Sequence, residues 1–376
     1  MNPLTDCIVV GGGLMGMLTA RELAQAGLSV CLLDKGPLGR ESSWAGGGIL
    51  SPLYPWRYDQ AIQPLARWSQ QMYPALIDDL QAEGSGDAEW LPSGLLILDP
   101  DEPVLVEEWA QRGQSTVEWC GEGSLHDLES ALTLPSNFTQ AVWLKNVAQV
   151  RNPRLLKALR KSLERHGVEI RSEVEVLKIL QQQNRISGVD TSVGRLAAEC
   201  VVICSGAWTG DLLKGLNVTP EVSPVRGQML LFRGVAGALK RIVLSDGHYV
   251  IPRQDGRVLV GSSMERVGFD KGVTDAVYQE LKKTAYELFP ILQSAEIEAH
   301  WSGLRPESPK GIPYLGEHPE LSGLYINAGH FRNGVVLGPA SARVVADLIL
   351  QRPVSVPDLN MRDYALNRDG ITTNLQ

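Results

Sequence analysis

The sequence predicts an α/β fold, in which a Rossmann-like dinucleotide-binding domain is joined to a discontinuous domain of antiparallel sheet and helices. Three observations predict it. A glycine-rich turn links an apolar strand to a helix near the N-terminus, strand-to-turn units return at 200–208 and 324–334, and alternating strands lie between them. The 376 residues, 44% of them hydrophobic, are enough to bury the cores of two domains.

The first unit has the glycine spacing of a dinucleotide-binding turn. Gly11 permits the tight bend, Gly13 lets the backbone approach a pyrophosphate, and Gly16 lets the helix pack closely on the sheet. The helix is predicted over 14–26, and the phosphates would lie at its N-terminus. A glycine-rich turn without a ligand is the alternative.

Two more features extend this prediction. Asp34 ends the strand predicted over 29–33, about 20 residues after the middle glycine, where a carboxylate can bind the adenosine ribose. The small-residue stretch 36–48 is too long for a simple turn, which a bound ligand would explain and a flexible loop would also explain. Cofactor contacts are predicted in these segments at Leu14, Met15, Lys35, Ser42, Ser43, Ala45, Gly46, Gly47 and Gly48.

The remaining elements follow from periodicity and turn residues. Helices are predicted over 59–82, 153–166, 275–288 and 339–350, and strands over 93–98, 168–171, 174–180, 200–204, 223–234, 249–252, 257–262 and 324–328. The chain thus leaves the nucleotide-binding domain and returns to it. This domain is assigned to 1–60, 145–216 and 305–368, the second domain to 61–144 and 217–304, and a polar tail to 369–376.

Composition excludes several classes of function. The net charge of −8 disfavours binding along a nucleic-acid backbone. We expect neither a signal peptide nor a membrane anchor. The five cysteines form no CxxC motif, and four of them lie inside apolar strand patterns, where burial is expected. Reduced thiols are therefore expected, which predicts a cytoplasmic protein. The six histidines show no metal-ligand spacing, so no metal is expected.

The choice between dinucleotides depends on the later segments. An NAD-dependent dehydrogenase would use the first turn but would leave 42–48, 205–208 and 329–334 without a common purpose. FAD is long enough to reach all of them, and a helix N-terminus beside its ring would stabilise the reduced flavin. Further FAD contacts are predicted at Val176, Ser205, Gly206, Trp208, Gly303, Arg305, His330, Phe331, Arg332, Asn333, Gly334 and Val335.

Five strings carry a resemblance to a known family: Gly11–Gly16, Cys204–Trp208, Gly247–Arg253, Gly303–Pro306 and Ala328–Gly334. From about residue 6 to residue 350 the chain resembles the D-amino-acid oxidase superfamily, and within it the glycine oxidases of thiamine synthesis. The resemblance implies non-covalent FAD that oxidises a small amine to an imine. Dioxygen then reoxidises the flavin to give hydrogen peroxide, and glycine yields glyoxylate and ammonia. It also implies a homo-oligomer, commonly a tetramer.

Arg305 is the candidate for binding a substrate carboxylate, because its planar guanidinium can donate two parallel hydrogen bonds. A structural salt bridge is the alternative. The family's carboxylate-binding arginine and tyrosine correspond to Arg305 and Tyr249, although a tyrosine opening a strand is more often core. Arg332 would bind substrate or hold its loop, and Met264 would line the pocket or pack in the core.

The pocket is expected to include Ile49 and Gly247. The family resemblance implies an alanine-rich stretch at 45–48 and a histidine at 247, so the glycines here are expected to leave extra room for sarcosine or a small D-amino acid. No catalytic base is needed if the amine binds neutral, so His248 and His330 are expected to be structural. A D-amino-acid dehydrogenase or sarcosine oxidase of the same superfamily remains an alternative, as does a non-catalytic flavin-binding subunit. The net charge disfavours a flavoprotein that modifies tRNA.

Overall fold

A computed structural model describes residues 5–112, 116–234 and 236–368. The polar tail predicted over 369–376 lies outside the described residues. The helices are α1 Leu14–Gln25, α2 Ser42–Ala45, α3 Ile62–Ala82, α4 Pro103–Gln111, α5 Glu122–Leu128, α6 Asn152–Arg165, α7 Thr209–Leu213, α8 Asp275–Leu288 and α9 Gly334–Ile349. Short 3₁₀ turns include Pro55–Arg57, Gly206–Trp208, Phe331–Asn333 and Met361–Tyr364.

The strands come from segments spread along the whole described chain. They are β1 Cys7–Val10, β2 Val30–Leu33, β3 Leu95–Leu98, β4 Glu118–Cys120, β5 Ala141–Leu144, β6 Glu169–Arg171, β7 Val176–Gln182, β8 Arg185–Thr191, β9 Gly194–Ala197, β10 Cys200–Ile203, β11 Ser223–Arg233, β12 Ile242–Ser245, β13 His248–Pro252, β14 Arg257–Gly261, β15 Glu296–Glu307, β16 Tyr314–His318 and β17 Leu321–Ala328.

One sheet has the order β6-β2-β1-β10-β17-β8-β7, and its first five strands run parallel. Val10 is in register with Leu33 on one side and Ile203 on the other. The strands β1 and β2 are buried along their full length, as expected for parallel strands covered on both faces. Their carboxyl ends therefore meet at one edge, where open α/β sheets bind ligands.

A second sheet has the order β15-β11-β14-β13-β12-β3-β5-β4 and is antiparallel except where β12 pairs with β3. The long strands β11 and β15 pair from Ser223–Glu307 to Arg233–Glu296. Two hydrophobic clusters cover its two faces, one of them including α8. The predicted fold class, a Rossmann-like domain with an antiparallel-sheet domain, is confirmed.

The helix α3 packs on the first sheet's side of the molecule. Leu65 and Leu76 share a hydrophobic cluster with Leu14 of α1 and Val336 of α9. The sequence analysis assigned this helix to the second domain, and it placed a boundary at 305 that falls within β15. The two units are thus closely joined by α3, and the exact division of the chain between them stays a prediction.

The last helix begins earlier than predicted. The sequence pattern placed its start at Pro339, because proline is favoured in the first helical turn. In the structure α9 begins at Gly334, and Pro339 lies inside it. Proline cannot donate to the carbonyl four residues before it, and here the Tyr73 hydroxyl donates to that carbonyl, on Val335, at 2.6 Å. A contact from a distant helix thus satisfies the group that proline leaves free.

Among the described residues, no helix combines the length and the apolar character needed to cross a membrane.

Candidate active site

A cavity of about 410 Å³ lies where the carboxyl edge of the first sheet faces the second sheet. The predicted site residues that line it are Gly11, Gly13, Leu14, Met15, Asp34, Lys35, Ser42, Ser43, Ala45, Gly46, Gly47, Gly48, Ile49, Val176, Ser205, Gly206, Trp208, Tyr249, Gly303, Arg305, His330, Phe331, Arg332, Gly334 and Val335. Folding therefore brings segments from both ends and the middle of the chain to one cavity.

Four predicted residues lie outside the lining. Met264 is 52% exposed, so it is neither in the cavity wall nor in the core. Gly247 lies in the turn between β12 and β13, and its N–H donates to the Tyr54 hydroxyl at 3.1 Å. Asn333 is buried before α9, and Gly16 packs against backbone. We therefore assign no pocket contact to Met264 or Gly247.

At one end of the cavity the glycine turn fits a pyrophosphate. A side chain on Gly11 would collide with the Cys204 carbonyl, and one on Gly16 with the Gly11 carbonyl. A Cβ on Gly13 would instead approach the Ser43 hydroxyl at 3.0 Å, on the cavity side. The N-cap residue of α1 is Gly13, which has no side chain to cap the helix. The Leu14 N–H donates to Ser43 Oγ at 2.9 Å. This helix end can donate to phosphate oxygens.

The carboxylate of Asp34 is fixed at the end of β2. Its Oδ2 accepts from the Gly12 N–H at 2.7 Å, and its Oδ1 from the Gly36 N–H at 2.8 Å. Burial raises its pKa, and the two backbone donors oppose that shift. Nearby, Lys35 Nζ lies 3.8 Å from the centre of the Trp208 ring. The carboxylate is thus held rigidly beside the turn, where a ribose is expected.

The segment 42–48 is ordered by protein contacts rather than left as an open loop. It forms the short helix α2 and then three glycines, of which Gly46 is extended and Gly48 has a φ of 78°. A Cβ on Gly47 would meet Ile251 Cδ1 at 2.8 Å and Tyr249 Cε2 at 3.1 Å, and one on Gly46 would meet Asn152 Nδ2 at 3.0 Å. Neighbouring side chains thus occupy the space beside Gly46 and Gly47, and a wider substrate range through these glycines stays a prediction.

At the other end of the cavity two guanidinium groups lie near each other. Arg305 donates to the Arg226 and Ser263 carbonyls at 3.4 and 3.1 Å and to Ser262 Oγ at 2.5 Å. Its pKa is lowered, chiefly by burial and also by the cation of Arg332. Among the described residues no carboxylate lies within 4.0 Å of either guanidinium. This end of the cavity can therefore receive a carboxylate from a ligand.

Tyr249 lies on β13 beside this cationic end and is 6% exposed. Its hydroxyl donates to Met229 Sδ at 3.3 Å. A thioether is a weak acceptor, so the hydroxyl can turn to a carboxylate oxygen at little cost. Met229 also lines the cavity, and the sequence analysis missed it because an apolar residue within a strand gives no functional signal.

The sequence analysis also missed Gly227, which lines the cavity on β11. The terminal nitrogens of Arg305 occupy the space where its side chain would be. A glycine within a strand marks a close approach of another group, and that signal was present in the sequence. Other missed lining residues include Glu41, Ser51, Leu53, Cys204, Pro306, Asn327 and Gly329.

His330 lines the cavity as a neutral residue. Its Nε2 lies 3.0 Å from Ser341 Oγ, and burial lowers its pKa to about 3. His248, outside the lining, has Nε2 3.0 Å from Glu280 Oε1. Behind the C-terminal loop, the N-terminus of α9 at Gly334 and Val335 faces the cavity. This helix end would stabilise negative charge on a bound ring.

The fold and the cavity define a flavin-dependent oxidoreductase. The chain belongs to the family of FAD-dependent oxidoreductases, whose match covers residues 6–348. This confirms the predicted family resemblance and the FAD cofactor, and the phosphate-binding turn, fixed carboxylate and helix end fit that cofactor.

Several named relatives are similar to this chain over more than nine tenths of its length. A protein of Pseudomonas aeruginosa named glycine oxidase is 47% identical over 347 residues, which are 92% of this chain and 94% of the relative. The crystal structure of glycine oxidase from Geobacillus kaustophilus has a TM-score of 0.90 and 31% identity, covering 97% of this chain and 98% of that one. The bifunctional protein ThiO/ThiG of Trichormus variabilis is 31% identical over 92% of this chain and 53% of its own length.

Proposed function

We propose that the protein oxidises glycine and other small amino acids to the corresponding imines, which water hydrolyses to glyoxylate and ammonia in the case of glycine. The observation that carries this proposal is the pair Arg305 and Arg332, which line the cavity and, within the described part of the chain, have no carboxylate within 4.0 Å. A substrate carboxylate would satisfy them. The identity of 47% to a protein named glycine oxidase supports the same substrate class.

The protein's residues bind and orient the substrate. Arg305 and the Tyr249 hydroxyl hold the carboxylate, and Arg332 adds positive charge to that end of the cavity. Bound FAD would supply the hydride acceptor, with dioxygen as the final oxidant and hydrogen peroxide as the product. Because burial lowers the pKa of His330 to about 3, its ring is a weak base, and its Nε2 is hydrogen-bonded to Ser341 Oγ, so we assign it no proton transfer. The amine binds in its neutral form, so loss of hydride from its α-carbon needs no protein base.

The test is peroxide release by the purified yellow protein with glycine, sarcosine, D-alanine, D-proline and D-phenylalanine. Glycine and sarcosine should be comparable substrates, D-alanine weaker and D-phenylalanine poor. If a bulky D-amino acid gave the highest kcat/KM, the activity would be that of a broad D-amino-acid oxidase. Amine turnover with an artificial acceptor but without peroxide would indicate a dehydrogenase, and no turnover at all would indicate a flavin-binding subunit.

We also propose that the imine serves thiamine thiazole synthesis, in the cytoplasm, and that the protein is a homotetramer. Relatives named ThiO/ThiG that carry a similar chain within a longer one support the pathway. Loss of thiamine-independent growth on deletion of the gene tests it. Light scattering of the purified protein tests the tetramer, and a monomer would contradict it.

A further inference from the structure

The cavity wall at Gly47 is held by a buried arginine, Arg253, that is not itself part of the cavity lining. Arg253 is 8% exposed and lies just after β13. Its Nη2 donates to the Gly47 carbonyl at 2.8 Å, and its Nη1 donates to Gln149 Oε1 at 2.7 Å and to the Val150 carbonyl at 3.2 Å. One guanidinium thus joins the glycine run to the segment that precedes α6.

These partners are unusual for a buried cation. Among the described residues no carboxylate lies within 4.0 Å of Arg253, whose hydrogen-bond partners are neutral oxygens. Burial lowers its pKa to about 10, so it is charged at neutral pH. A buried cation costs free energy unless directed hydrogen bonds compensate. The guanidinium of Arg253 therefore fixes the positions of the Gly47, Gln149 and Val150 oxygens that accept its hydrogen bonds.

Gly47 contacts the strand that carries Tyr249 at the substrate end of the cavity. The alternate residues Tyr249, Ile251 and Arg253 lie on the same face of this strand and its extension. The first two fill the space beside the Gly47 Cα, and the third binds its carbonyl. Asn152, also buried, donates to the Ser43 carbonyl at 2.8 Å. Two buried polar side chains, Asn152 and Arg253, therefore hold the backbone carbonyls of Ser43 and Gly47.

We propose that Arg253 is a positioning residue of the reaction: by holding the Gly47 carbonyl it fixes the cavity wall against the Tyr249 ring, and so orients Tyr249 toward the substrate carboxylate. The proposal rests on the proposed function, since it deepens the role of the same site. Arg253 touches neither substrate nor the reacting atoms. Its effect passes through Gly47, which lines the cavity.

The test uses the FAD-loaded protein and compares R253M and R253K with R257M. Methionine keeps much of the side-chain volume but leaves three oxygens without a donor, whereas lysine can reach only part of them. Arg257 is a matched control, because it lies across the same hairpin but its side chain pairs with Asp255 and Glu298. Each protein is titrated with acetate by flavin absorption, and the FAD dissociation constant and the KM for glycine are measured.

We expect R253M to weaken acetate binding and raise the KM for glycine by roughly tenfold or more, because hydrogen bonds from a charged donor are lost. R253K should fall between R253M and the parent, and R257M should match the parent. A lower melting temperature with acetate affinity, KM and FAD affinity all unchanged would overturn the proposal, since Arg253 would then be structural only.

Two further outcomes are also decisive. If R253M fails to fold, R253K decides, with parental acetate affinity and KM overturning the proposal and weakened values supporting it. If the parent releases no peroxide from glycine, the proposed function fails, but the acetate and FAD titrations still test the role of Arg253 in positioning the wall.

Discussion

The guanidinium of Arg305 lies directly over the backbone of Gly227, in the space that a side chain at position 227 would fill. The two residues are on the adjacent strands β15 and β11, where Val225 is paired with Arg305 and Gly227 with Gly303. The absence of a Cβ lets the arginine lie flat across the neighbouring strand. The direction of the guanidinium therefore depends on a glycine 78 positions earlier in the chain.

Replacing Gly227 with alanine should displace Arg305 and lower kcat/KM for glycine by roughly ten- to a hundredfold, because a small misplacement of a binding group is costly. FAD content should stay near parental, since Gly227 is at the substrate end. Gly123→Ala is the control, as nothing lies within 4 Å of a Cβ there. Parental kinetics for Gly227→Ala would show that Arg305 does not hold substrate in this position.

Removing the guanidinium itself should cost more. Arg305→Ala should lower kcat/KM by roughly thirtyfold to several thousandfold, about 2–5 kcal/mol, while FAD stays bound. Arg305→Lys should restore only part of this loss, because a point charge cannot donate two parallel hydrogen bonds. Tyr249→Phe removes one donor to a charged acceptor and should cost about 1.5–3 kcal/mol.

Amines without a carboxylate are the control for this series. They should be poor substrates of the parent and nearly insensitive to Arg305→Ala. The carboxylate-binding role would be refuted by an Arg305→Ala protein that is folded, flavin-loaded and as active on glycine as the parent.

A bulky residue at position 13 should abolish FAD binding. The Cβ of Gly13→Leu would point toward Ser43 Oγ at 3.0 Å, and the rest of the side chain would enter the space needed by the pyrophosphate. The ratio of flavin to protein absorbance measures this, with Gly123→Leu as the control. The parent's flavin should be released intact by acid, and flavin that stays attached would contradict non-covalent binding.

Stability should fall as pH falls, in part through His330. Burial lowers its pKa from 6.5 to about 3 in the folded protein, so between these values the unfolded state binds the extra proton. The free energy of unfolding therefore decreases as pH falls through this window, by at most about 1.4 kcal/mol per unit from this residue. Urea unfolding between pH 6.5 and 5 measures the slope.

His330→Gln should have a flatter slope over the same window, because glutamine does not titrate. Carboxylates such as Glu83, whose pKa is lowered to about 2, lose their stabilising charge only at lower pH. Equal slopes in parent and variant between pH 6.5 and 5 would show that folding does not lower the pKa of His330.

The sequence by itself determined the features that depend on neighbouring residues. The turn Gly11–Gly16 needs small residues at fixed spacing, and Asp34 follows its strand directly, so both could be predicted without knowing what packs around them. The same holds for helix α8, predicted over 275–288 and observed over those residues. The motif strings also predicted the family, which the match over 6–348 confirms.

Only the tertiary structure decided which of these residues face the cavity and how they are held. Tyr73 lets α9 begin before Pro339, Gly227 makes room for Arg305, and the space beside Gly47 is filled by Tyr249 and Ile251. Each contact joins residues far apart in the chain. Local patterns fix backbone conformation and hydrophobic faces, whereas the space left at a glycine depends on the side chains that folding brings against it.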